Sequence, residues 1–546
     1  MTATLRRLTA LFITIALHSA WTALAQADEV RDMQSKAIAD GAAPWGYWGA
    51  RPEKYTGWTN HSNRLIPAYA FGISLDSVRG AQSVYRDEGR LAALYGTKPE
   101  QTLNPQAEYF DQTDIARLQR VAAAAGKKNI ILIVFDGMDW QTTQAAAIYN
   151  AGKVAYREGR GSGLYFQDYR GAPTDFGFFV TSPACDSLEV DVNAQTVRDV
   201  AGRAAGGYNA GHGGATPWAV ETDPSYPIGQ SRECRHAVTD SAASATSLCA
   251  GIKTYNDAVN VDKQGKQMAT VAHELQAQGF AIGVVTSVPI SHATPACAYA
   301  HNVSRDDYQD LARDLLGLPS VSHRREPLPG VDVLLGAGWG DRPDEDRQQG
   351  TNFLPGNKYL ADDDLSRIDV RKGGKYQVVT RQEGAKGRQA LEDAAAAAAR
   401  DKYRLFGMFG AKSGHLPFAT ADGKFDPTVG ARGSEEVYSA ADRDENPTLA
   451  DFARAALAVL STNKTGFWLM IEAGEVDWAN HDDNLDNSIG AVLSGDAAFR
   501  AVVEWVEAHH CWDETALIVT SDHGHFLHLT DPAKLVSARR ETAADK

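Results

Sequence analysis

One short stretch limits the possible folds of this chain more than any other. Residues 129–135, NIILIVF, are apolar and rich in β-branched side chains, and they end at Asp136. A strand can be apolar at successive positions only when both of its faces are covered, which is typical of central strands in parallel sheets. Further runs of this kind lie at 281–286, 331–335, 467–471 and 516–520. The sequence therefore predicts a buried sheet with several strands.

Segments with a helical pattern alternate with these runs. They lie near 112–125, 268–278, 388–400, 447–461 and 486–509, and a further short strand is predicted at 66–72. This alternation predicts an α/β fold with a doubly wound, mostly parallel central sheet and helices on both faces. There is no internal repeat or linker, so residues 26–546 are expected to form one catalytic domain. Loop-rich insertions over the sheet edge are expected near 150–235 and 340–385.

The first residues have the pattern of an export signal. Residues 6–7 are both Arg, a largely apolar run follows at 8–17, and Ala-Leu-Ala at 23–25 is a cleavage signal, with 25–27 as the alternative. The apolar run is short for a membrane span. We therefore interpret residues 1–25 as a signal peptide rather than a signal anchor, and we expect a periplasmic or secreted protein without a membrane span.

Export places the five cysteines in an oxidising compartment, where thiols can pair. Cys185 and Cys234 lie in loop-like sequence and are predicted to form a disulfide. Cys249 and Cys297 lie among small apolar residues and are predicted to be buried free thiols.

The charge balance excludes one class of partner. Lys and Arg number 54 and Asp and Glu 69, so the formal charge is 54 − 69 = −15. A protein that binds a nucleic-acid backbone needs a basic surface, so no nucleic-acid binding is expected. An acidic excess suits a well-solvated protein or one that collects cations.

Three of the apolar runs end in clusters of acidic residues and histidines. The clusters contain Asp136; Glu472, Asp477 and His481; and Asp522, His523 and His525. Ligands of open α/β sheets bind beyond the carboxyl ends of the strands, where a buried carboxylate is costly without a cation. One such acid alone could be a helix cap, but three favour a cluster of Zn²⁺ and Mg²⁺ ions. We expect His525 to orient a ligand rather than to bind metal.

A different signal surrounds Ser241. Asp240 and Ser241 open a run of small residues whose composition suits a helix. A serine at a helix N-terminus is most often a cap. Here, however, the small side chains would let the backbone approach an anion, and a serine beside a divalent metal can attack phosphorus. No GxSxG motif surrounds Ser241, which argues against the α/β-hydrolase interpretation.

Together these motifs resemble those of the alkaline phosphatase family. VTDSAASATS at 238–247, followed by GIKTYN at 251–256, resembles the family's nucleophile signature, and DGM at 136–138 resembles its shared metal aspartate. The segment 292–305 resembles the magnesium-site threonine and the phosphate-binding arginine of the family. The clusters at 472–481 and 522–525 complete the set in family order.

The resemblance implies a role for each of these residues. Ser241 would be the nucleophile, and Arg305 would clamp two phosphate oxygens, which Lys cannot copy. The implied metal ligands are Asp477 and His481 for the first zinc; Asp136, Asp522, His523 and the Ser241 oxygen for the second; and Asp136, Thr294 and Glu472 for magnesium. The residues expected around these ligands are Asp240, His292, Trp478 and His525. His292 stands where some members have Asp, and Trp478 where some have Lys or His, which leaves metal preference open.

The sequence departs from the family pattern after Asp522. Family members continue to a His-Thr-Gly segment, which supplies the third protein ligand of the first zinc and leads into a strand, whereas only 546 − 522 = 24 residues follow here. The segment 61–72, HSNRLIPAYAFG, parallels the missing one. We therefore hypothesise a circular permutation in which His61 completes the first zinc site. The alternatives are an ordinary edge strand after a loop histidine, and His212 as the ligand.

The predicted function is that of a secreted phosphomonoesterase with two Zn²⁺ and one Mg²⁺, which hydrolyses small phosphate monoesters through a phosphoserine at Ser241. A homodimer is one option that the sequence leaves open. One alternative is a phosphodiesterase or sulfatase of the same superfamily, whose sites usually lack a complete third metal site with a paired Arg. Another is a phosphate or metal scavenger, which would need the acidic clusters but not Ser241.

Overall fold

A central sheet organises the part of the chain that the computed structural model describes, residues 29–199, 202–411, 414–433 and 435–537. The predicted signal peptide lies outside these residues. The ten strands of the sheet are β1 (Ile66–Phe71), β2 (Phe110–Asp111), β3 (Asn129–Phe135), β4 (Thr174–Val180), β5 (Ala281–Pro289), β6 (Val333–Ala337), β7 (Tyr376–Thr380), β8 (Arg404–Met408), β9 (Phe467–Ala473) and β10 (Thr515–Thr520). Two small ribbons pair Gly46–Trp48 with Leu527–Leu529 and Glu189–Asp191 with Thr196–Arg198.

The strand order is β7-β8-β6-β5-β9-β3-β10-β1-β4-β2. Neighbours from β7 to β10 are parallel, β1 is antiparallel to both β10 and β4, and β4 is parallel to β2. This arrangement confirms the predicted α/β fold with a mostly parallel sheet. The two segments expected to be insertions each contribute a strand, β4 from 150–235 and β7 from 340–385.

Helices cover both faces of the sheet. The α-helices are α1 (Glu29–Asp40), α2 (Glu88–Tyr95), α3 (Thr113–Ala124), α4 (Trp140–Ala151), α5 (Tyr165–Asp168), α6 (Ala210–Gly213), α7 (Ser241–Cys249), α8 (Val271–Ala277), α9 (Ala293–Cys297), α10 (Tyr308–Leu316), α11 (Asp362–Ile368), α12 (Gly387–Asp401), α13 (Ala440–Asp444), α14 (Leu449–Leu460), α15 (Glu475–His481), α16 (Leu485–Ala508) and α17 (Ala533–Ser537). Short 3₁₀ turns span Gly80–Gln82, Val84–Arg86, Arg347–Asn352, Val370–Lys372 and Trp512–Glu514. Within the described residues, no helix is long and apolar enough to cross a bilayer.

Strand β3 shows why its sequence is apolar throughout. All seven of its residues are buried, and successive side chains point to opposite faces. Ile131 and Ile133 join a core that includes α4, α14 and α16, whereas Ile130 and Leu132 join a second core that includes α3, α7 and α10. Full burial of each such side chain contributes about 1.5–3 kcal/mol.

The predicted Cys185–Cys234 disulfide is wrong, because both cysteines are free thiols. Cys185 packs beside a small cluster around Tyr255, and Cys234 packs beside a different one around Tyr226. Two loop cysteines can pair only if the fold brings their β-carbons together, and loop composition carries no information on that distance. The prediction that Cys249 and Cys297 are buried free thiols is confirmed.

Candidate active site

The carboxyl ends of three adjacent strands bring the predicted acidic residues together. Strand β3 lies between β9 and β10, in a register that aligns Phe135 with Ala473 of β9. Asp136 directly follows β3, Glu472 is near the end of β9, and Asp522 comes just after β10. Parallel neighbours end at the same edge of a sheet, so these three carboxylates share one buried location.

Asp136, Asp522 and His523 form the first set, here called the Asp136 group. Each offers one ligand atom, and these atoms all lie within 4.8 Å of one another. His523 Nε2 lies 3.2 Å from Asp136 Oδ1 and 3.5 Å from Asp522 Oδ2. The backbone N–H groups of Gly137 and His523 donate to Asp522 Oδ1 over 3.0 and 2.9 Å. The second oxygen of Asp522 is thereby left to face the group.

Gly137 makes this close packing possible. Its φ of +75° lies in the left-handed region, and a β-carbon there would lie 2.8 Å from the ring of His525 and 3.0 Å from Asp477 Cα. Only glycine combines that backbone conformation with so close an approach.

The second set, called the His61 group, consists of His61, Asp477, His481 and His525. Asp477 and His481 lie four residues apart on α15, on one face, as predicted. Asp477 Oδ1 lies 3.5 Å from the Nε2 atoms of both His61 and His481 and 2.7 Å from His525 Nε2. The two groups adjoin, since the rings of His61 and His523 stack with centroids 3.8 Å apart.

The tautomers of two histidines point to a cation in the His61 group. His61 Nδ1 lies 3.1 Å from the Thr239 carbonyl, and His481 Nδ1 lies 2.8 Å from the Thr59 carbonyl, so each Nδ1 carries the proton. The two unprotonated Nε2 atoms then face each other at 3.1 Å. Burial lowers the pKa of both rings, which keeps them neutral. Facing lone pairs repel without a shared cation, and a backbone carbonyl on the far nitrogen is the usual support of a metal-bound histidine.

The antiparallel strand β1 explains how His61 reaches this edge. Because β1 runs against β10, the start of β1 lies beside the end of β10, where Asp522 and His523 follow. The backbones of Ser62 and Gly524 also pair directly. His212, the alternative ligand, lies on α6 and in neither group. Its Nδ1 is 3.8 Å from Oδ2 of Asp223, which lies in the loop after α6.

Arg64 anchors the segment that carries His61. Its side chain is only 4% exposed; Nε donates to Glu221 Oε1 over 2.6 Å, and Nη1 lies 3.6 Å from Asp139 Oδ2. Nη1 also donates to the Leu527 carbonyl over 2.5 Å. The guanidinium thus connects the segment before β1 with the segments that follow β3 and β10.

We expect Arg64→Met to lower the free energy of unfolding by about 3–5 kcal/mol, because it leaves the buried carboxylates of Glu221 and Asp139 without their cationic partner. Urea unfolding followed by circular dichroism measures the change. Arg79→Met is the matched control: Arg79 pairs with Asp76 and Asp175, but its side chain is 31% exposed, and about 1 kcal/mol or less is expected. Equal losses in the two variants would contradict an anchoring role for Arg64.

Thr294 and Glu472 lie beside Asp136, as the predicted magnesium site requires. Thr294 Oγ1 donates to Asp136 Oδ2 over 3.4 Å, and Thr286 Oγ1 donates to Glu472 Oε2. Glu472 Oε1 is buried and has no hydrogen-bond partner among the described residues. An unpartnered buried carboxylate oxygen is costly unless a cation meets it.

The electrostatics of these carboxylates fit metal binding. Burial raises the pKa of Glu472 to about 8, and burial together with Asp477 and Glu472 raises the pKa of Asp136 well above its usual value. Burial and Asp136 do the same for Asp522. Divalent cations would reverse this mutual repulsion and hold the groups ionised. The residues present therefore suit Zn²⁺ in the His61 and Asp136 groups and Mg²⁺ beside Thr294 and Glu472.

Ser241 is the first residue of α7 and is 1% exposed. Asp240 caps the helix by accepting from the Ala243 N–H over 2.9 Å, which leaves the Ser241 side chain free to point away from the helix. Ser241 Oγ lies 3.2 Å from His523 Nε2, so the hydroxyl adjoins the Asp136 group. The first N–H groups of α7 add a field that favours an anion.

Arg305 lies on the other side of Asp240. Its Nη1 donates to Asp240 Oδ2 over 2.9 Å, and this pairing raises the pKa of the arginine although burial opposes it. His292 and Trp478 lie nearby with ring centroids 6.0 Å apart, and burial and Arg305 lower the pKa of His292 to about 3. Both residues border the site without joining either group of ligands.

A cavity of about 470 Å³ opens onto these residues. His61, Asp240 and Arg305 line it, together with Trp58 and Arg235. A small anionic substrate can therefore reach Arg305, His61 and Asp240, the residue before Ser241, from solvent.

Sequence reasoning missed several supporting residues. Arg64 with Glu221 anchors the His61 segment, Thr286 holds Glu472, and Ser287 donates to Glu475. Each is a single polar residue without a motif. Only the burial of Thr286 and Ser287 within the apolar run of β5 could have drawn attention to them.

The family model and the curated relatives agree on the family. The family model for alkaline phosphatase matches residues 209–538, which is more than half of the chain. Alkaline phosphatase 4 of Bacillus subtilis is 30% identical over 290 residues, covering 52% of this chain and 49% of that protein. Alkaline phosphatase of Escherichia coli is 31% identical over 310 residues, covering 54% and 60%. The crystal structure of Thermus thermophilus alkaline phosphatase aligns with a TM-score of 0.43 and 21% identity, covering 73% of this chain and 60% of that one.

The chain spans about half to three-fifths of the length of these curated relatives. Both His61 and Asp136 lie before the matched region, yet the fold brings them to the residues inside it. The chain belongs to the alkaline phosphatase family.

Proposed function

We propose that this protein is an exported, metal-dependent phosphomonoesterase that forms a phosphoserine at Ser241. The observation that carries the proposal is the position of Ser241 Oγ, at the N-terminus of α7 and 3.2 Å from His523 Nε2 in the Asp136 group. The predicted signal peptide at 1–25 supports export to the periplasm or beyond. Small phosphate monoesters are the proposed substrates.

Three sets of residues would hold the metals. We assign one Zn²⁺ to His61, Asp477 and His481, a second to Asp136, Asp522 and His523, and Mg²⁺ to Asp136, Thr294 and Glu472. When bound, these cations supply Lewis-acid stabilisation of negative charge on the reacting oxygens. His525, 2.7 Å from Asp477 Oδ1, holds that carboxylate in orientation, in line with the role expected from the sequence.

The positions of the side chains support a two-step reaction. Ser241 Oγ attacks phosphorus, so that an O–P bond to the serine forms while the bond to the leaving alcohol breaks. Water then hydrolyses the phosphoserine and releases phosphate. Arg305 donates to Asp240 through Nη1 and offers its other N–H groups to the phosphate oxygens, and the N-terminus of α7 supports the same charge. Asp240 keeps the guanidinium in place between turnovers.

A panel of substrates tests this proposal. We expect the metal-loaded enzyme to hydrolyse a nitrophenyl phosphate monoester at least about 10²-fold faster, in kcat/KM, than the matching diester or sulfate ester. Quenching a reaction with the monoester at mildly acid pH should leave phosphate on the peptide that contains Ser241, as detected by mass spectrometry. A dominant diester or sulfatase rate would support the alternative activities, and binding of phosphate without turnover or phosphoserine would support a scavenger.

A further inference from the structure

A third cluster of histidine and carboxylate side chains lies apart from the two groups above. It consists of His301, four residues before Arg305; Asp314, on α10; and His323, in the loop after α10. Each offers one ligand atom, and the three atoms lie within 4.8 Å of one another. The cluster shares no residue with the proposed catalytic metal sites.

His301 is held in the form that binds metals. Its Nε2 lies 3.0 Å from the Met268 carbonyl, so this nitrogen carries the proton and Nδ1 carries the lone pair. The residue is 6% exposed, and Nδ1 is buried without a hydrogen-bond partner among the described residues. Burial and then His273 lower the pKa of the ring to about 4, so the imidazole is neutral. A backbone carbonyl on one nitrogen and a free lone pair on the other is how proteins orient a histidine ligand.

Asp314 supplies the negative charge of the cluster. It is fully buried, accepts from the His301 N–H over 3.0 Å and from the Ser320 hydroxyl, and lies 2.9 Å from His323 Nδ1. Among the described residues its ion-pair partner is His323, and no Lys or Arg pairs with it. Its negative charge is therefore matched by hydrogen-bond donors and by no permanent cation, and a bound divalent ion would supply one.

We propose that His301, Asp314 and His323 bind a structural Zn²⁺. Two imidazoles and one carboxylate form a ligand set that binds Zn²⁺ in preference to Mg²⁺ or Ca²⁺. The fourth coordination position is left to water. The side chain of His323 is 11% exposed, which gives the ion a route from solvent. Binding would tie the segment 301–305, which ends at Arg305, to α10 and to the loop that follows it.

Zinc content and thermal stability of the full-length, zinc-loaded protein test this site. We expect His323→Ala to contain one zinc less per chain than the unmodified protein, with a lower Tm. His323→Cys is expected to keep the zinc and the Tm, because a thiolate also binds zinc. His212→Ala, which changes a histidine that pairs with Asp223 outside all three clusters, serves as the control and should keep both values.

The test is independent of the proposed catalytic site. Because His61→Ala is expected to remove a different zinc, the double variant with His323→Ala should lack two zincs per chain. An unchanged zinc content in folded His323→Ala would overturn the proposal, as would equal loss of zinc in folded His323→Ala and His323→Cys. Asp314→Asn offers a second route, since loss of the carboxylate charge should also remove this zinc, and retention of zinc would count against the site.

Discussion

Replacing Ser241 with Ala should reduce kcat/KM for a phosphate monoester by at least about 10³-fold, because the variant lacks the atom that attacks phosphorus. The phosphorylated peptide should disappear in the same quenched reactions. Zinc content should change little, since Asp136, Asp522 and His523 remain in place. Steady-state kinetics with metal analysis of the same preparation measures both quantities.

Ser247→Ala is the matched control for this variant. Ser247 lies on the same helix and is 1% exposed, but its hydroxyl donates to the carbonyls of Ala243 and Ile252, away from the metal groups. Its loss should cost about 1 kcal/mol of stability and leave the rate near that of the unmodified enzyme. If Ser241→Ala kept most of the activity, or if Ser247→Ala lost as much, Ser241 would not be the nucleophile.

Replacing His61 with Ala should remove one zinc per chain and lower kcat/KM by about 10²–10³-fold, which corresponds to several kcal/mol of lost transition-state stabilisation. The reason is geometric. His61 Nε2 lies 3.5 Å from Asp477 Oδ1 and 3.1 Å from His481 Nε2, and its Nδ1 is held by the Thr239 carbonyl. Without His61, Asp477 and His481 are left with His525, which the structure places against Asp477.

His212→Ala separates the two candidate ligands in the same measurements. His212 pairs with Asp223 and stacks on Tyr226, with ring centroids 5.6 Å apart, so zinc content and rate should stay unchanged. Unchanged zinc and activity in His61→Ala would contradict the assignment of His61 and, with it, the hypothesis of a circular permutation. A second measurement is the Tm of His61→Ala and of the unmodified protein after removal of metal. Similar values would show that a loss of zinc and activity in His61→Ala does not result from unfolding.

The central strands were predictable because burial on both faces leaves a clear pattern in the sequence. The runs at 129–135, 467–471 and 516–520 correspond to β3, β9 and β10. Strands β4 and β8, by contrast, contain Gly177 and Gly407, and four of the seven residues of β4 are partly exposed, so their patterns resemble loops. The order of strands in the sheet also escapes prediction, because pairing depends on contacts between distant parts of the chain.

Within the site, the residues that belong to sequence motifs could be placed at the correct edge of the sheet. The residues that belong to no motif could not be placed. Asp136 and Asp522 follow recognisable strands, so parallel topology brings them together. His61 was found only through the pattern of residues after it. Arg64 and Glu221 could not be found, since 157 residues separate them and no local pattern marks a buried ion pair. The incorrect disulfide between Cys185 and Cys234 has the same cause.

The position of β1 also determines when the centre can assemble. His61 meets His481 across 420 residues of sequence, and Ser62 pairs with Gly524, so both ends of the described chain must be present before the His61 group exists. A growing chain folds from its N-terminal part first, but here β1 has no β10 to pair with until residues 515–520 have been synthesised. Until then β1 is an apolar strand with an open edge, exposed to mispairing. The proposed metal binding by the His61 group would consequently be a late event, because it requires that residues 61–71 have already paired with residues 515–524.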